Sequence, residues 1–84
     1  MARVLMYCTR SCPYCQRAER LLRRKKAKIE KIDLGANQAA WNKMEKLTGR
    51  NTVPQIYIGD THVGGFDDLT DLDMAGKLDS LLDA

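Results

Sequence analysis

Cys12-Pro13-Tyr14-Cys15 sets two thiols three residues apart, a spacing suited to reversible disulfide chemistry. If such a pair opens a helix, one turn separates the sulfurs and their side chains share a face, so the bond between them can open and close locally. Cys12 would then sit at or just before the first turn, where unpaired N–H groups and the positive end of the helix dipole favour a thiolate. It is expected to be the attacking sulfur, and a stabilised thiolate is also a good leaving group. Cys15, one turn further on beside Ala18 and Leu22, is expected to be more buried, less acidic and the resolving thiol. Pro13 stiffens the turn between them. Tyr14 would project beside the reactive sulfur and shape a substrate groove.

Two further segments carry chemistry. In Thr52-Val53-Pro54 the proline precedes a strand, so it is either a register device or a cis turn. If cis, it would expose the Val53 N–H and C=O as a sheet-edge pair able to bind an extended, peptide-like ligand beside Cys12. Gly64-Gly65-Phe66-Asp67-Asp68 combines a tight turn with a helix N-terminus that can bind a carboxylate, while Asp67 or Asp68 caps the helix or pairs with an ammonium group. A zinc site is not expected, because tetrahedral zinc takes four ligands and only Cys8 and His62 add sulfur or imidazole to the pair. Cys8 is read as a packed core thiol and His62 as a hairpin side chain without a catalytic part.

The elements that must position these residues follow from the apolar pattern. Val4-Leu5-Met6-Tyr7 reads as a buried strand, and the helix beginning at Pro13 repeats Cys15, Ala18, Leu21 and Leu22 at helical spacing. Lys28–Leu34 gives a weaker strand signal. Asn37 can cap a helix through Thr48, with Ala40, Met44 and Leu47 on one face and Gly49 as its stop. Gln55–Ile58 and Thr61–Val63 flank Gly59-Asp60 as a hairpin. Leu69 and Leu72 mark a helix, and Leu78, Leu81 and Leu82 a final short one. The order βαβαββα implies an α/β fold: a four-stranded mixed sheet, two strands joined by a right-handed crossover and two antiparallel, flanked by helices.

With 84 residues and 44% hydrophobic content the chain suits one domain, residues 1–84, and a monomer. No apolar run reaches the roughly 20 residues needed to span a bilayer, so a cytoplasmic protein is expected. Three cysteines, all within the first fifth of the chain, cannot staple distant segments. The net charge of +3 conceals an asymmetry: residues 17–31 hold eight basic side chains, whereas residues 60–84 hold seven aspartates. These are either solvated helix faces or a field that steers an anionic substrate or acidic partner. Nucleic acid is not expected, since no aromatic residues interleave the basic run.

Cys12-Pro13-Tyr14-Cys15, Thr52-Val53-Pro54 and Gly64-Gly65-x-Asp67-Asp68, in this order and spacing, resemble a dithiol glutaredoxin along the whole chain. The resemblance implies a thioredoxin-like fold with Pro54 cis and near the cysteines. It implies glutathione as co-substrate, and as clients disulfide-containing or glutathionylated proteins, with ribonucleotide reductase a candidate. By this resemblance Cys12 attacks, Cys15 resolves, Thr52 and Val53 anchor the glutathione backbone, and Tyr14 and Pro54 line the groove. Phe66, Asp67 and Asp68 would hold the γ-glutamyl end. The chain departs from the pattern at Thr9, where relatives carry a lysine and Arg10 would supply the charge; at Trp41, in place of a polar or basic residue; and at Asn51, beside Arg50, where a basic residue is common. The dithiol alone would equally serve a redoxin reduced by thioredoxin reductase. A module binding an iron-sulfur cluster through Cys12 is the remaining alternative, disfavoured by Pro13 and the resolving thiol.

Overall fold

The sheet is built around the first strand. In the computed structural model, which describes residues 2–83, β1 (Val4–Cys8) pairs in parallel with β2 (Ile29–Asp33) and antiparallel with β3 (Gln55–Ile58). β3 pairs antiparallel with β4 (Thr61–Gly64), giving the strand order β2-β1-β3-β4. The helix α1 (Pro13–Arg24) makes the crossover between the two parallel strands, and α2 (Gln38–Thr48) leads from β2 to β3. Two helices follow the hairpin, α3 (Phe66–Met74) and α4 (Leu78–Asp83), so the order is βαβαββαα; α4 is the short final helix expected at Leu78, Leu81 and Leu82, which the string βαβαββα leaves uncounted.

Strand alternation divides the core. Val4, Met6 and Cys8 of β1 and Ile56 and Ile58 of β3 face Cys15, Ala18 and Leu22 of α1, Leu69 of α3, and Leu78 and Leu82 of α4. Tyr7 points to the opposite face and packs with Leu34 and with Met44 of α2, joined at the margin by Leu5, Trp41 and Tyr57. Both faces are thereby covered by helices, as expected. Leu47, expected to share the buried stripe of α2, is 57% exposed: Met44 fills the Tyr7 cluster, and Leu47 borders an open groove with Leu5 and Tyr57 at its margin.

β2 pairs on one side only, and Glu30 to Asp33 are exposed. An edge strand with no buried face has no alternation to display, which explains its weak sequence signal. The charge asymmetry meets at one seam, where Lys25 Nζ lies 2.9 Å from Asp73 and 3.1 Å from Asp79. This cation ties the end of α1 to α3 and to the first turn of α4, and hydrogen bonds to the two carboxylates raise its pKa.

Candidate functional site

Cys12 is the N-cap of α1, with extended backbone at φ −86° and ψ 111°, and Pro13 occupies the first helical position. The Cys12 sulfur therefore takes the place of a capping oxygen, accepting the Cys15 N–H at 3.3 Å. It stands 3.8 Å from the Val53 carbonyl oxygen, which joins the start of the helix to the loop before β3. Cys12 is half-buried, whereas Cys15 is only 3% exposed. Burial, followed by the hydrogen bond with Cys12, pushes the Cys15 thiol up to about 12. Cys15 is therefore protonated throughout the neutral range, and the two sulfurs are chemically unequal. The Cys8 thiol, also buried, is raised by the same desolvation.

The Val53–Pro54 peptide bond is cis, which resolves the choice left open by the sequence. Pro54 is buried, and Val53 packs against both core clusters. The fully buried Gln55 holds this loop from behind: its Nε2 donates to the Thr52 carbonyl at 3.0 Å, and its Oε1 lies 2.8 Å from His62 Nε2. His62 stacks on Tyr57 with ring centroids 4.9 Å apart, so this hairpin side chain braces the Thr52–Pro54 segment through Gln55.

A groove of about 220 Å³, lined by the Val53 whose carbonyl oxygen neighbours the Cys12 sulfur, brings the separated motifs together. Tyr14, Thr52, Val53 and Pro54 line it from the α1 and β3 ends of the molecule, and Phe66, Asp67 and Asp68 from the start of α3. Tyr14 is 53% exposed, with its ring 6.3 Å from that of Phe66. Gly65, rather than Asp67 or Asp68, is the N-cap of α3. Asp68 lies a turn further on and reaches back, its Oδ2 accepting the Gly65 N–H at 2.9 Å. The capping interaction is thus made by the third helical residue, because glycine has no side chain with which to make it.

Arg50 also lines the groove, although in the sequence it stands out only as the neighbour of Asn51. Gly49 ends α2 in the left-handed region at φ 74°, and Thr48 Oγ1 accepts the Arg50 N–H. The guanidinium is thereby aimed at Asp68 Oδ2, 2.9 Å away and 18 residues further along the chain. No local signal marks that pairing, since it is created where the loop before β3 crosses the start of α3.

One expected contact, Arg10, lies elsewhere, and so does Trp41, the departure from the family pattern. The Arg10 side chain is 94% exposed and 3.6 Å from Asp33; it belongs to a separate cavity of about 290 Å³ shared with Cys8, Thr9 and Cys15. The turn of chain before α1 carries it to the β2 side of Cys12, away from Tyr14 and Phe66. Trp41 donates from Nε1 to the Gly35 carbonyl at 3.0 Å and packs at the margin of the Tyr7 cluster, so it secures the loop before α2 and lines no part of the groove.

Arg50, and secondarily the Gly65 N–H, hold the Asp68 carboxyl below the usual carboxylate range. A carboxyl whose folded pKa is depressed contributes stability above its unfolded value, about 3.9, and loses it as pH falls through the folded value. Asp68→Asn is therefore expected to melt below the parent protein at pH 7, with the two melting temperatures converging as the pH falls through the depressed value of the folded carboxyl. Thermal melts at stepped pH would reveal this; a constant gap down to pH 2 would show that the charge contributes nothing.

Comparison with known proteins is in keeping with this arrangement. Residues 4–63 match the family model described as Glutaredoxin. The glutaredoxin of Pseudomonas aeruginosa is 48% identical over 84 residues, covering 100% of both chains. The solution structure of glutaredoxin from Brucella melitensis superposes with a TM-score of 0.86 at 51% identity, covering 98% of this chain and 89% of that one. A crystal structure of a buckwheat glutaredoxin-glutathione complex gives a TM-score of 0.91 at 28% identity, covering 98% of this chain and 77% of that one.

Proposed function

The chain belongs to the glutaredoxin family, and we propose on that footing that Cys12 is its nucleophile, Cys15 its resolving thiol and the adjoining groove its glutathione site. The protein is a glutathione-dependent thiol-disulfide oxidoreductase with a thioredoxin-like fold. The observation that carries the assignment is the inequality of the thiols: Cys12 caps the helix at the groove, while Cys15 is buried behind it and held protonated.

In the forward half-reaction the Cys12 thiolate attacks a client disulfide, forming a mixed disulfide and releasing the client's other sulfur as thiolate. Cys15 gives up its proton and attacks the Cys12 sulfur, closing the Cys12–Cys15 disulfide and expelling the reduced client. A glutathione thiolate then attacks Cys12, returning Cys15 to the thiol, and a second glutathione removes the first as glutathione disulfide. A glutathionylated client needs Cys12 alone, because attack on the glutathione sulfur frees the client directly.

Glutathione would lie along Val53, whose N–H has no hydrogen-bond partner among the described residues, pairing with it in the manner of a strand. Thr52, Pro54 and Tyr14 would flank the peptide, and Phe66 and Asp67 would meet its γ-glutamyl end, where Asp67 can pair with the ammonium group. Arg50 adds a cation for a carboxylate, while Asp68 holds that guanidinium in place. Arg10 stands outside this set.

Residues 1–84 would act as one monomeric domain. No helix among the described residues is long and apolar enough to cross a membrane, and we place the protein in the cytoplasm, where glutathione keeps clients reducible. Disulfide-bearing or glutathionylated proteins are its substrates in this account, with ribonucleotide reductase a candidate. A coupled assay with two alternative electron sources tests the co-substrate. Turnover is expected with glutathione and glutathione reductase, and turnover supported only by thioredoxin reductase would overturn the assignment.

A further inference from the structure

Beyond the groove, α1 carries Arg17, Arg20 and Arg24 at spacings of three and four residues, which align them on one exposed stripe. Several neighbouring cations are engaged: Arg23 pairs with Glu19, Lys31 with Glu19, and Lys25 with Asp73 and Asp79. Among the described residues Arg17, Arg20 and Arg24 make no ion pair. They border a groove of about 260 Å³ on an apolar floor that includes Leu21 and Phe66; its one carboxylate, Asp73, is already taken by Lys25. Phe66 lines this groove and the one beside Cys12, and Arg17 lies over the Tyr14 ring, its guanidinium carbon 5.5 Å from the centroid. The basic stripe thus leads through Tyr14 and Phe66 to the groove proposed to hold glutathione.

We propose that this arginine stripe of α1 is a docking track for an acidic segment of the client protein, flanking the cysteine whose disulfide is reduced at Cys12. The proposal rests on the functional reading above and adds a client chemistry to it. Arg17 to Arg24 covers about 10 Å of helix, which an extended strand spans in roughly three to four residues. Two or three Asp or Glu side chains close to the client cysteine would therefore meet successive guanidiniums. A guanidinium presents a planar fork to a carboxylate, and three unneutralised charges in a row attract an anionic chain before contact. Arg23, the other arginine of α1, is paired with Glu19, so the unpaired charge on this helix lies on the stripe of Arg17, Arg20 and Arg24.

The test uses two glutathionylated peptides of equal length, one with three acidic residues beside its cysteine and the other with Gln and Asn in their place. At low ionic strength the protein should show a kcat/KM about fivefold higher for the acidic peptide, set through KM, with the preference fading near 0.5 M salt. Arg20→Gln/Arg24→Gln should lose most of that preference while turning over the neutral peptide as before, and Arg20→Lys/Arg24→Lys should keep the greater part of it. Equal KM values for both peptides, or a preference untouched by the glutamine pair, would overturn the proposal. Anisotropy of a labelled, cysteine-free acidic peptide separates the two levels of the account. Arginine-dependent binding without turnover of either peptide would uphold docking and refute the oxidoreductase assignment, whereas turnover without such binding or preference would do the reverse. Self-association of the parent protein that the glutamine pair abolishes would assign the stripe to a second copy of this chain and overturn the client reading.

Discussion

Cys12→Ser is expected to lose activity on every substrate, by on the order of 10³-fold or more, whereas Cys15→Ser should lose only part of the repertoire. Serine in place of Cys12 keeps the N-cap position and can still accept the Cys15 N–H, so the fold should survive. It offers no ionised nucleophile at neutral pH, and its oxygen cannot exchange with sulfur. Cys15→Ser leaves Cys12 and the groove intact. Reduction of a glutathionylated peptide, which needs one protein thiol, should continue at a rate near that of the parent. Reduction of an intramolecular protein disulfide should fall sharply, because the Cys12 mixed disulfide has lost its internal resolving thiol. Steady-state rates on the two substrate types distinguish the roles. Equal losses on both in Cys15→Ser would mean that the buried thiol takes part in the first attack, contrary to its protonated state.

Gly64→Ala is expected to lower the melting temperature by about 10–20 °C, corresponding to roughly 2–3 kcal/mol in a chain of this length. Gly64 has φ 111°, a conformation that side-chain-bearing residues rarely adopt. A β-carbon there would run into the Asp68 carboxylate and stand 3.0 Å from Arg50 Nη1. The clash must displace the ion pair that shapes the groove, so the KM for glutathione should rise in the protein that remains folded. Gly49→Ala provides the comparison: its φ is 74°, yet nothing lies within 4 Å of the added carbon. It should cost about 1 kcal/mol and leave glutathione kinetics unchanged. Calorimetry with glutathione titrations of both variants would check this. An unaltered KM in Gly64→Ala would show that the Arg50–Asp68 pair has no part in binding.

What was legible in the sequence was whatever neighbours along the chain determine. The Cys12 cap with Pro13 behind it, the Asn37 cap and Gly49 stop of α2, and the Gly59-Asp60 hairpin all have local physical causes, and each takes the expected form. The Tyr14, Thr52–Pro54 and Phe66–Asp68 segments also converge on one groove. The misplaced details depend on how distant segments cross. Arg50 meets Asp68 only because the loop before β3 passes the start of α3, and Arg10 points away because the chain enters α1 from the β2 side. Trp41, which departs from the family pattern where relatives carry a polar or basic residue, has a structural task instead, its Nε1 donating to the Gly35 carbonyl. Asp68 performs its capping task from a turn inside the helix, since Gly65 is the residue at the boundary.

The central claim, that Cys12 is the sulfur that exchanges with glutathione, is tested most directly by the intact mass of Cys15→Ser after treatment with oxidised glutathione. One glutathione adduct is expected, and it should disappear when Cys12→Ser is added, since Cys8 is buried and its thiol raised. An adduct that persists in the double variant, or no adduct in the single one, would contradict the account.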